Sequence, residues 1–479
     1  MSAEHERYDS PLAARYASPA MLALWSPQRR HALWRRLWLA LAEAERELGV
    51  AAVTDEGLAQ MRAHLDDIDF AAAAAFEQRF RHDVMAHVHA FGEAAPAARA
   101  FIHLGATSAY VTDNADLILM REALGLLRGR IVGVLAALAA FAARWRAEPA
   151  LAYTHLQPAQ LTTVGKRATL WMQDLVLDLA DLDARVAALP LRGVKGTTGT
   201  QASFLELFGG DHAKVRRLEE LVVKKLGFAR AIPVSGQTYS RKVDAQVLGV
   251  VSGIAASAAK FSADVRMLQS FGEMEEPFEK EQIGSSAMAY KRNPMRSERI
   301  ASLARFVCSL EPNANQTHSW QFFERTLDDS ANRRLVIPES FLATDALLIL
   351  QRNVAAGLEV HPARIRRRVM EELPFMATEK LLVRAVRAGG DRQQAHETIR
   401  RHSIEAARAM KDGAERNDLL ERLAGDRAFG VPLEELRQLA EPAQFTGRSA
   451  QQVDEFLADV IQPILAAAPA AADQEALRV

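Results

Sequence analysis

Apolar residues recur every three or four positions along the middle of the chain, which is the spacing of one helix face. Residues 243–268 follow this spacing without a break. A second stretch follows Thr112 and Asp113, which can cap a helix, and ends before Pro149. Two more cover residues 158–190 and 338–358. The four patterns predict helices of about 20 to 30 residues, well above the usual length of about 11–12.

Long helices separated by short Gly or Pro breaks predict an all-α protein with an elongated central bundle. Strand patterns are weak throughout, and both flanks have shorter helical patterns and more turns. We therefore predict an N-terminal helical domain over residues 1–107, a long-helix bundle over 108–361 and a C-terminal helical domain over 362–479. The apolar stripe of residues 243–268 fits core packing and contact between subunits equally well.

The composition of the 479 residues is that of an ordinary soluble protein, with 49% hydrophobic and 25% charged residues. Its 59 basic and 60 acidic residues give no electrostatic reason to bind nucleic acid or an anionic membrane. The longest plain apolar run, residues 131–143, is shorter than the roughly 20 residues of a bilayer span. With one cysteine and no secretory signal, the sequence predicts a cytoplasmic protein.

The densest group of charges lies in residues 284–299, which read GSSAMAYKRNPMRSER. Four cations and one acid in a neutral protein indicate a site for a ligand with several negative groups. These charges are Lys291, Arg292, Arg296, Arg299 and Glu298. The alternative is pairing with the five acids of residues 273–281 on a solvated surface.

Two histidine segments could transfer protons. His155 lies between a threonine and a glutamine, just before the predicted helix start at Pro158, where a proton donor could be held. A single histidine is more often structural or exposed. His82, His87 and His89 suggest a metal, but a gap of five on a helix turns two side chains about 140° apart, and we predict no metal site there.

Three small-residue segments offer hydroxyl and amide groups to a carboxylate or phosphate: residues 105–108, 193–200 and 235–238. Residues 193–200 lack the Gly-Lys-Ser/Thr ending of a phosphate-binding loop, which makes nucleotide hydrolysis improbable. An ordinary flexible turn explains residues 193–200 about as well, and the other two segments do not indicate which ligand they would bind.

Residues 284–293 resemble the Gly-Ser-Ser-x-Met-Pro-x-Lys-x-Asn signature loop of the fumarase/aspartase superfamily. The rest of the chain resembles one branch of it, the adenylosuccinate lyase family in its longer, animal-like form. The stretches that carry this resemblance are RYASP, RHDVMAHVH, HLGATS, THLQPAQLTTVGKR, RGVKGTTGTQASF, GQTYSRKVD, MEEPFEKEQIGSS, FERTLDDSANRR, ELPFMATE and FTGRSAQQV. They start at residues 15, 81, 103, 154, 192, 236, 274, 323, 372 and 445.

The resemblance implies a three-domain all-α fold and a β-elimination of fumarate, from adenylosuccinate and from a succinylaminoimidazole carboxamide ribotide of purine biosynthesis. It implies Ser285 as the general base, with Ser286 as the alternative, and His155 as the general acid with His82 as its partner. Lys291 and Asn293 would hold the succinyl carboxylates. The other implied carboxylate-binding residues are Thr107, Ser108 and Gln237. The implied phosphate- and nucleotide-binding residues are Arg15, Tyr16, Arg81, Arg299, Arg325, Ser330 and Arg334.

The resemblance also implies a homotetramer with active sites shared between subunits, and a reaction without a cofactor or a metal. The chain departs from the signature at Ala289, where the family has proline, and we expect slower closure of this loop and reduced turnover. Three alternatives are a sister lyase of the argininosuccinate type, a non-catalytic relative and a helical interaction scaffold. The first would share the signature loop but not RHDVMAHVH or FERTLDDSANRR.

Overall fold

The computed structural model of the chain describes residues 8–468, so the outer ends of the two flanking predicted domains lie outside the described residues. Most of the described chain is α-helical, which confirms the predicted fold class. The first helices are α1 (Pro19–Leu24), α2 (Pro27–Glu47), α3 (Asp55–Ala63), α4 (Phe70–Phe80), α5 (Asp83–Ala94), α6 (Ser108–Arg144), α7 (Val164–Ala188), α8 (Ala202–Leu207), α9 (His212–Lys225) and α10 (Lys242–Ser270).

The remaining helices follow the same order along the chain. They are α11 (Met295–Ser319), α12 (Asp328–Gly357), α13 (Pro362–Met376), α14 (Thr378–Arg387), α15 (Arg392–Lys411), α16 (Leu419–Gly425), α17 (Leu433–Leu439), α18 (Ser449–Phe456) and α19 (Gln462–Ala466). Two antiparallel strand pairs join them: β1 (Pro149–Thr154) with β2 (Gln157–Thr163), and β3 (Met274–Glu275) with β4 (Glu359–Val360).

Helices α6, α7, α10, α11 and α12 pack side by side as the central bundle. Arg241, just before α10, forms ion pairs with Asp113 near the start of α6 and Asp329 at the start of α12. These three helices therefore begin at one end of the bundle, and α7 and α11 run back between them. We call this the network end. We call the opposite end, where Phe271 follows α10, the loop end.

The buried apolar residues form three cores. The largest fills the bundle, the second joins α2 and the start of α6 to residues 191–228, and the third lies within residues 377–440. Residues 191–228 thus pack on the N-terminal helices although they lie inside the predicted bundle segment. The three-domain division itself stays a prediction.

Two predicted helix starts are wrong. Helix α6 begins at Ser108, and Asp113 is a buried residue inside it, because its carboxylate binds Arg241 instead of capping the helix. Helix α12 begins at Asp328 and continues through Pro338, since ion pairing of the buried Asp329 holds its first turn. By contrast, the pattern over residues 243–268 is confirmed by α10.

The prediction of a helix from Pro158 is also wrong, because this proline lies in β2 and the helix starts six residues later, at Val164. Thr163 caps that helix by accepting a hydrogen bond from the N–H of Lys166 at 3.1 Å. Weak strand patterns hid this hairpin, which has few buried positions and alternates poorly.

Helices α6 and α10 are long and apolar enough to cross a membrane by length and composition alone. This is weak support for a membrane span, because the core helices of soluble proteins have the same character. Both helices contribute one face to the central core, and α6 carries the buried Asp113 and Asn114.

Candidate active site

A buried network of ion pairs lies at the network end. Arg241 binds the two oxygens of Asp113 at 3.1 and 3.2 Å through its two terminal nitrogens. Its Nε donates to Asp329 at 2.7 Å. Burial raises the pKa of Asp113, but Arg241 and Arg333 outweigh it and leave this pKa below its ordinary value. The aspartate is therefore ionised, and the starts of three helices are held in one arrangement.

A second set of bonds extends this network. Arg333 donates to Asp244 at 2.7 Å and to the hydroxyl of Tyr239, and pairs with Asp116 at 3.0 Å. The backbone N–H of Tyr239 donates to Asp113 at 3.0 Å. The sequence analysis missed all of these residues as members of one cluster, because charged residues spread over α6, α10 and α12 carry no local pattern.

His82 and Ser108 are neighbours at the network end. His82 precedes α5, and its Nδ1 accepts a hydrogen bond from the N–H of Met85 at 3.3 Å. Its Nε2 lies 3.4 Å from the hydroxyl oxygen of Ser108, the first residue of α6. Thr107 precedes that helix and makes no side-chain capping bond. The first N–H groups of α6 therefore lie beside an imidazole, an arrangement suited to an anionic ligand.

His103 is a further residue near His82 that the sequence analysis did not single out. Its Nδ1 accepts a hydrogen bond from the indole N–H of Trp38 at 2.9 Å. Burial, with a smaller contribution from His82, lowers the pKa of His103 to about 4. The neutral ring therefore carries its proton on Nε2. The available signal was the histidine of the HLGATS stretch.

The predicted phosphate-binding residues Arg325, Ser330 and Arg334 lie around the start of α12 at the same end. Arg325 is 3.4 Å from Asp329 of the buried network. Arg334 pairs with Asp83 at 2.7 Å, the residue after His82. Arg81, beside His82, is exposed and has φ of 54°.

Gln237 is anchored at this end through its backbone N–H, which donates to the carbonyl of Glu324 at 3.0 Å. Gly199 has φ of 85°, and a Cβ there would lie 1.8 Å from the carbonyl oxygen of Ser235. The two small-residue segments 193–200 and 235–238 therefore lie against each other.

The signature-like loop lies at the loop end. The side chain of Gln269, near the end of α10, donates to the carbonyl of Arg292 at 2.9 Å and so anchors it. The hydroxyl of Ser285 accepts hydrogen bonds from the N–H groups of Ala287 and Met288 at 3.3 and 3.2 Å. Two donors directed at one oxygen stabilise its deprotonated form. No such bond reaches the exposed Ser286 in the described chain.

Asn293 closes this loop on itself, since its side chain donates to the carbonyl of Gly284 at 2.7 Å. No other residue fits at position 284, because a Cβ on Gly284 would lie 2.0 Å from the carbonyl oxygen of Lys291. The side chain of Lys291 is exposed. Ser285 and Lys291 are therefore displayed on a tightly closed loop that faces away from the core.

His155 lies on the turn between β1 and β2, not before a helix as predicted. His155 and Leu156 have φ of 54° and 57°, and Thr154 pairs with Gln157. A two-residue hairpin turn with both φ values positive is normally built from Asn and Gly. Each other residue there costs about 1–2 kcal/mol, and such strain is frequent at functional sites. His155 is thus held at an exposed, strained tip.

Tyr16 and Arg299 also lie towards the loop end. The guanidinium of Arg299, in the second turn of α11, lies 5.8 Å from the centroid of the Tyr16 ring. Arg15 is an exposed neighbour in a π-helical turn over Leu12–Tyr16.

The three histidines of residues 82–89 point in different directions. His87 stacks on His31 with ring centroids 3.8 Å apart, and burial lowers its pKa to about 4. His89 contacts Phe76 and Phe80, whereas His82 faces Ser108.

One group in the described chain, Glu275, Glu359 and His361, has ligand atoms close enough together for a metal ion. Arg292 already pairs with the two carboxylates at 2.7 and 3.0 Å. The charge of a cation is therefore supplied there by a guanidinium.

One chain does not bring all the predicted site residues together. The ring of Tyr153 lies 5.6 Å from that of Phe271, which fixes the hairpin of His155 at the loop end, whereas Arg241 and the network lie before α10. The 29 residues of α10 separate these two ends by about 44 Å. His155, Ser285, Lys291 and Asn293 therefore share one end, and His82, Ser108 and Arg334 share the other.

Comparison with known proteins identifies the class of protein to which this fold belongs. A solved structure of a 3-carboxy-cis,cis-muconate lactonizing enzyme from Pseudomonas putida superposes with a TM-score of 0.82 at 23% identity, over 95% of this chain and 100% of that chain. A family model described as lyase matches residues 31–308. The fold is therefore that of the fumarase/aspartase superfamily.

Sequence similarity identifies the family within this superfamily. The model of an adenylosuccinate lyase C-terminus matches residues 374–456. The adenylosuccinate lyase of Saccharomyces cerevisiae is 53% identical over 95% of each chain. That of Schistosoma mansoni is 46% identical over 96% of each chain. The chain belongs to the adenylosuccinate lyase family, which confirms the resemblance found in the sequence.

Proposed function

We propose that this protein is a carbon–nitrogen lyase that eliminates fumarate from adenylosuccinate to give AMP. It performs the same elimination on the succinylaminoimidazole carboxamide ribotide of purine biosynthesis. The observation that carries the proposal is the closed loop at the loop end, which directs two backbone N–H groups at Ser285. Family membership supplies the reaction class.

In the proposed mechanism, the hydroxyl of Ser285 first loses its proton to solvent water. The resulting alkoxide removes a proton from the succinyl methylene carbon, β to the departing nitrogen, and the carbon–carbon double bond of fumarate forms as the adjacent C–N bond breaks. The loop N–H groups lower the cost of forming the Ser285 alkoxide. His155 donates a proton to the departing nitrogen, so that charge does not accumulate on it. The carbanion is stabilised as an aci-carboxylate by Lys291 and Asn293. Redox chemistry and an electrophilic metal are not needed for these steps.

The network end binds the nucleotide in this proposal. Arg325, Ser330 and Arg334 bind phosphate there, with Arg81 as a further nucleotide contact. Arg15, Tyr16 and Arg299, which lie towards the loop end, also contact the nucleotide in this proposal. Thr107, Ser108 and Gln237 bind a carboxylate, and His82 assists His155 near the leaving group. The buried ion pairs behind these residues hold them in place before the ligand arrives.

We further propose a homotetramer in which each active site combines ends from different subunits. The separation of about 44 Å between the two ends of α10 supports this, because a small substrate cannot span it. We also propose that the protein is cytoplasmic and uses small nucleotide substrates without binding nucleic acid or membrane.

The test is fumarate release from adenylosuccinate by the purified protein beside Ser285→Ala, with Ser286→Ala as the matched control. We expect release by the unchanged protein and by Ser286→Ala, and a loss of at least about a thousandfold in Ser285→Ala. Release that persists in Ser285→Ala would move the base elsewhere. If the unchanged protein released no fumarate, a sister substrate such as argininosuccinate or a non-catalytic role would replace the proposal.

A further inference from the structure

The strand that leads into the His155 turn contacts an arginine of α13. Arg368 donates to the hydroxyl of Tyr153 at 2.9 Å. Its guanidinium also lies 4.2 Å from the centroid of the Phe271 ring and 2.8 Å from Glu273. We call Tyr153, Phe271, Glu273 and Arg368 the Arg368 cluster.

The two segments that this cluster joins both lead to proposed catalytic residues. Tyr153 lies two positions before His155 in β1. Glu273 lies between α10 and β3, at the start of the segment that continues to Ser285. The hairpin tip is strained at both turn residues, so the strand next to it must be held in place for the tip to keep its shape.

The buried carboxylate of Glu273 lies beside the guanidinium of Arg368, so removing that charge would affect the whole Arg368 cluster. Its side chain is 2% exposed, and burial raises its pKa despite the nearby Arg167, Arg368 and Arg364. The Nε of Arg368 lies 2.8 Å from its carboxylate, but the N–H is not aligned with the oxygen, so this contact is electrostatic. The aligned hydrogen bond of Arg368 within the cluster is the one to Tyr153.

We propose that Arg368 is a positioning residue that fixes the His155 hairpin to the segment leading into the Ser285 loop. This inference rests on the proposed function for its kinetic consequence. Arg368 does not contact substrate in this proposal. It keeps the tip of the hairpin in the orientation in which His155 can deliver its proton.

The test compares Arg368→Met, Tyr153→Phe and the double variant. Tyr153→Phe removes only the hydroxyl that accepts from Arg368, so it remains informative if Arg368→Met fails to fold. Arg367→Lys is the matched control, because Arg367 is the preceding residue of α13 and its only ion pair in the described chain is a 3.8 Å contact with Glu371 on the surface.

We expect each single variant to lower kcat about tenfold with KM changed less than about twofold, since misplacement affects the chemical step and not nucleotide binding. The double variant should be no slower than Arg368→Met. Arg367→Lys should match the unchanged protein. A Tyr153→Phe variant with unchanged kcat, or variants that lose only thermal stability, would overturn the inference.

Hydrogen exchange separates this result from a failure of the proposed function. Amides of residues 150–157 should exchange about tenfold faster in Arg368→Met and Tyr153→Phe than in Arg367→Lys, whether or not the protein releases fumarate. Unchanged exchange would overturn the inference. Faster exchange in a protein without lyase activity would leave the positioning role of Arg368 standing and reject the proposed reaction.

Discussion

The two ends of the bundle are built in opposite ways. At the network end, buried ion pairs among Asp113, Arg241 and Asp329 hold the starts of three helices. At the loop end, Ser285 and His155 lie on a surface loop and a strained hairpin tip. The difference teaches that one end is fixed by buried charge pairs before a ligand binds, whereas the other presents its proposed catalytic groups outward, as the proposed sharing of sites between subunits requires.

The largest effect is expected when one variant is defective at the loop end, another is defective at the network end, and the two are mixed. Ser285→Ala and His82→Leu should each be almost inactive. If a site combines a loop end and a network end from different subunits, a reassembled equal mixture should recover about a quarter of the normal fumarate release.

The expected fraction is about a quarter because each site receives its loop end and its network end at random from the two kinds of subunit. Half of the loop ends and half of the network ends are intact. Each variant taken alone through the same dissociation and mixing is the control. A mixture that stays as inactive as its parents would show that both ends of a site come from one chain.

Removing the positive charge of Arg241, at the centre of the buried ion pairs, should destabilise the network end. We expect Arg241→Met to lower the free energy of unfolding by about 3–5 kcal/mol, because it leaves Asp113 and Asp329 as buried, unbalanced carboxylates. The measurement is the thermal unfolding midpoint at one protein concentration. The control is Arg128→Met, which breaks an exposed pair with Asp183 and should cost less than about 1 kcal/mol. Equal shifts for both variants would show that the buried network stabilises the protein no more than a surface ion pair does.

Near the network end, a buried acid should make stability depend on pH. Glu45 is fully buried, neither carboxylate oxygen has a hydrogen bond in the described chain, and burial raises its pKa to about 8 from 4.5. Between these values the folded protein keeps a proton that the unfolded chain has lost, so stability falls as pH rises.

Glu45→Gln should therefore match the unchanged protein near pH 4.5 and be more stable by up to a few kcal/mol above pH 8. Thermal unfolding across this pH range measures it. Glu47→Gln, on the same helix but exposed and paired with Lys225, should show no comparable rise. A constant offset at every pH would mean that Glu45 does not titrate in this range.

The smallest expected effect concerns the loop end. Ala289→Pro should raise kcat about two- to fivefold if proline favours the closed loop by about 0.4–1 kcal/mol. Ala287→Pro is the contrasting variant: it removes an N–H donor to Ser285 and should lower kcat. An unchanged kcat in Ala289→Pro would show that closure of this loop does not limit turnover.

Local features of the candidate site were predictable from sequence, but their grouping was not. The residues of the loop and of the HLGATS stretch stand out because small, hydroxyl-bearing and cationic side chains are adjacent in the chain. The hairpin of His155 was missed because Pro158 is a favoured first helical residue as well as an edge-strand residue. Its strained turn gives only a weak signal, since His is uncommon at positive φ, although enriched there, and Leu is rare.

The sequence by itself determined the all-α class, the span of α10 and the family, because helical periodicity and long motifs are properties of neighbouring residues. The tertiary structure alone decided which residues meet. Arg241 and Asp113 are 128 positions apart, yet they fix one end of the bundle, and α10 keeps that end away from Ser285 and His155. Charge pairing between distant segments depends on how helices pack, and no local pattern encodes it.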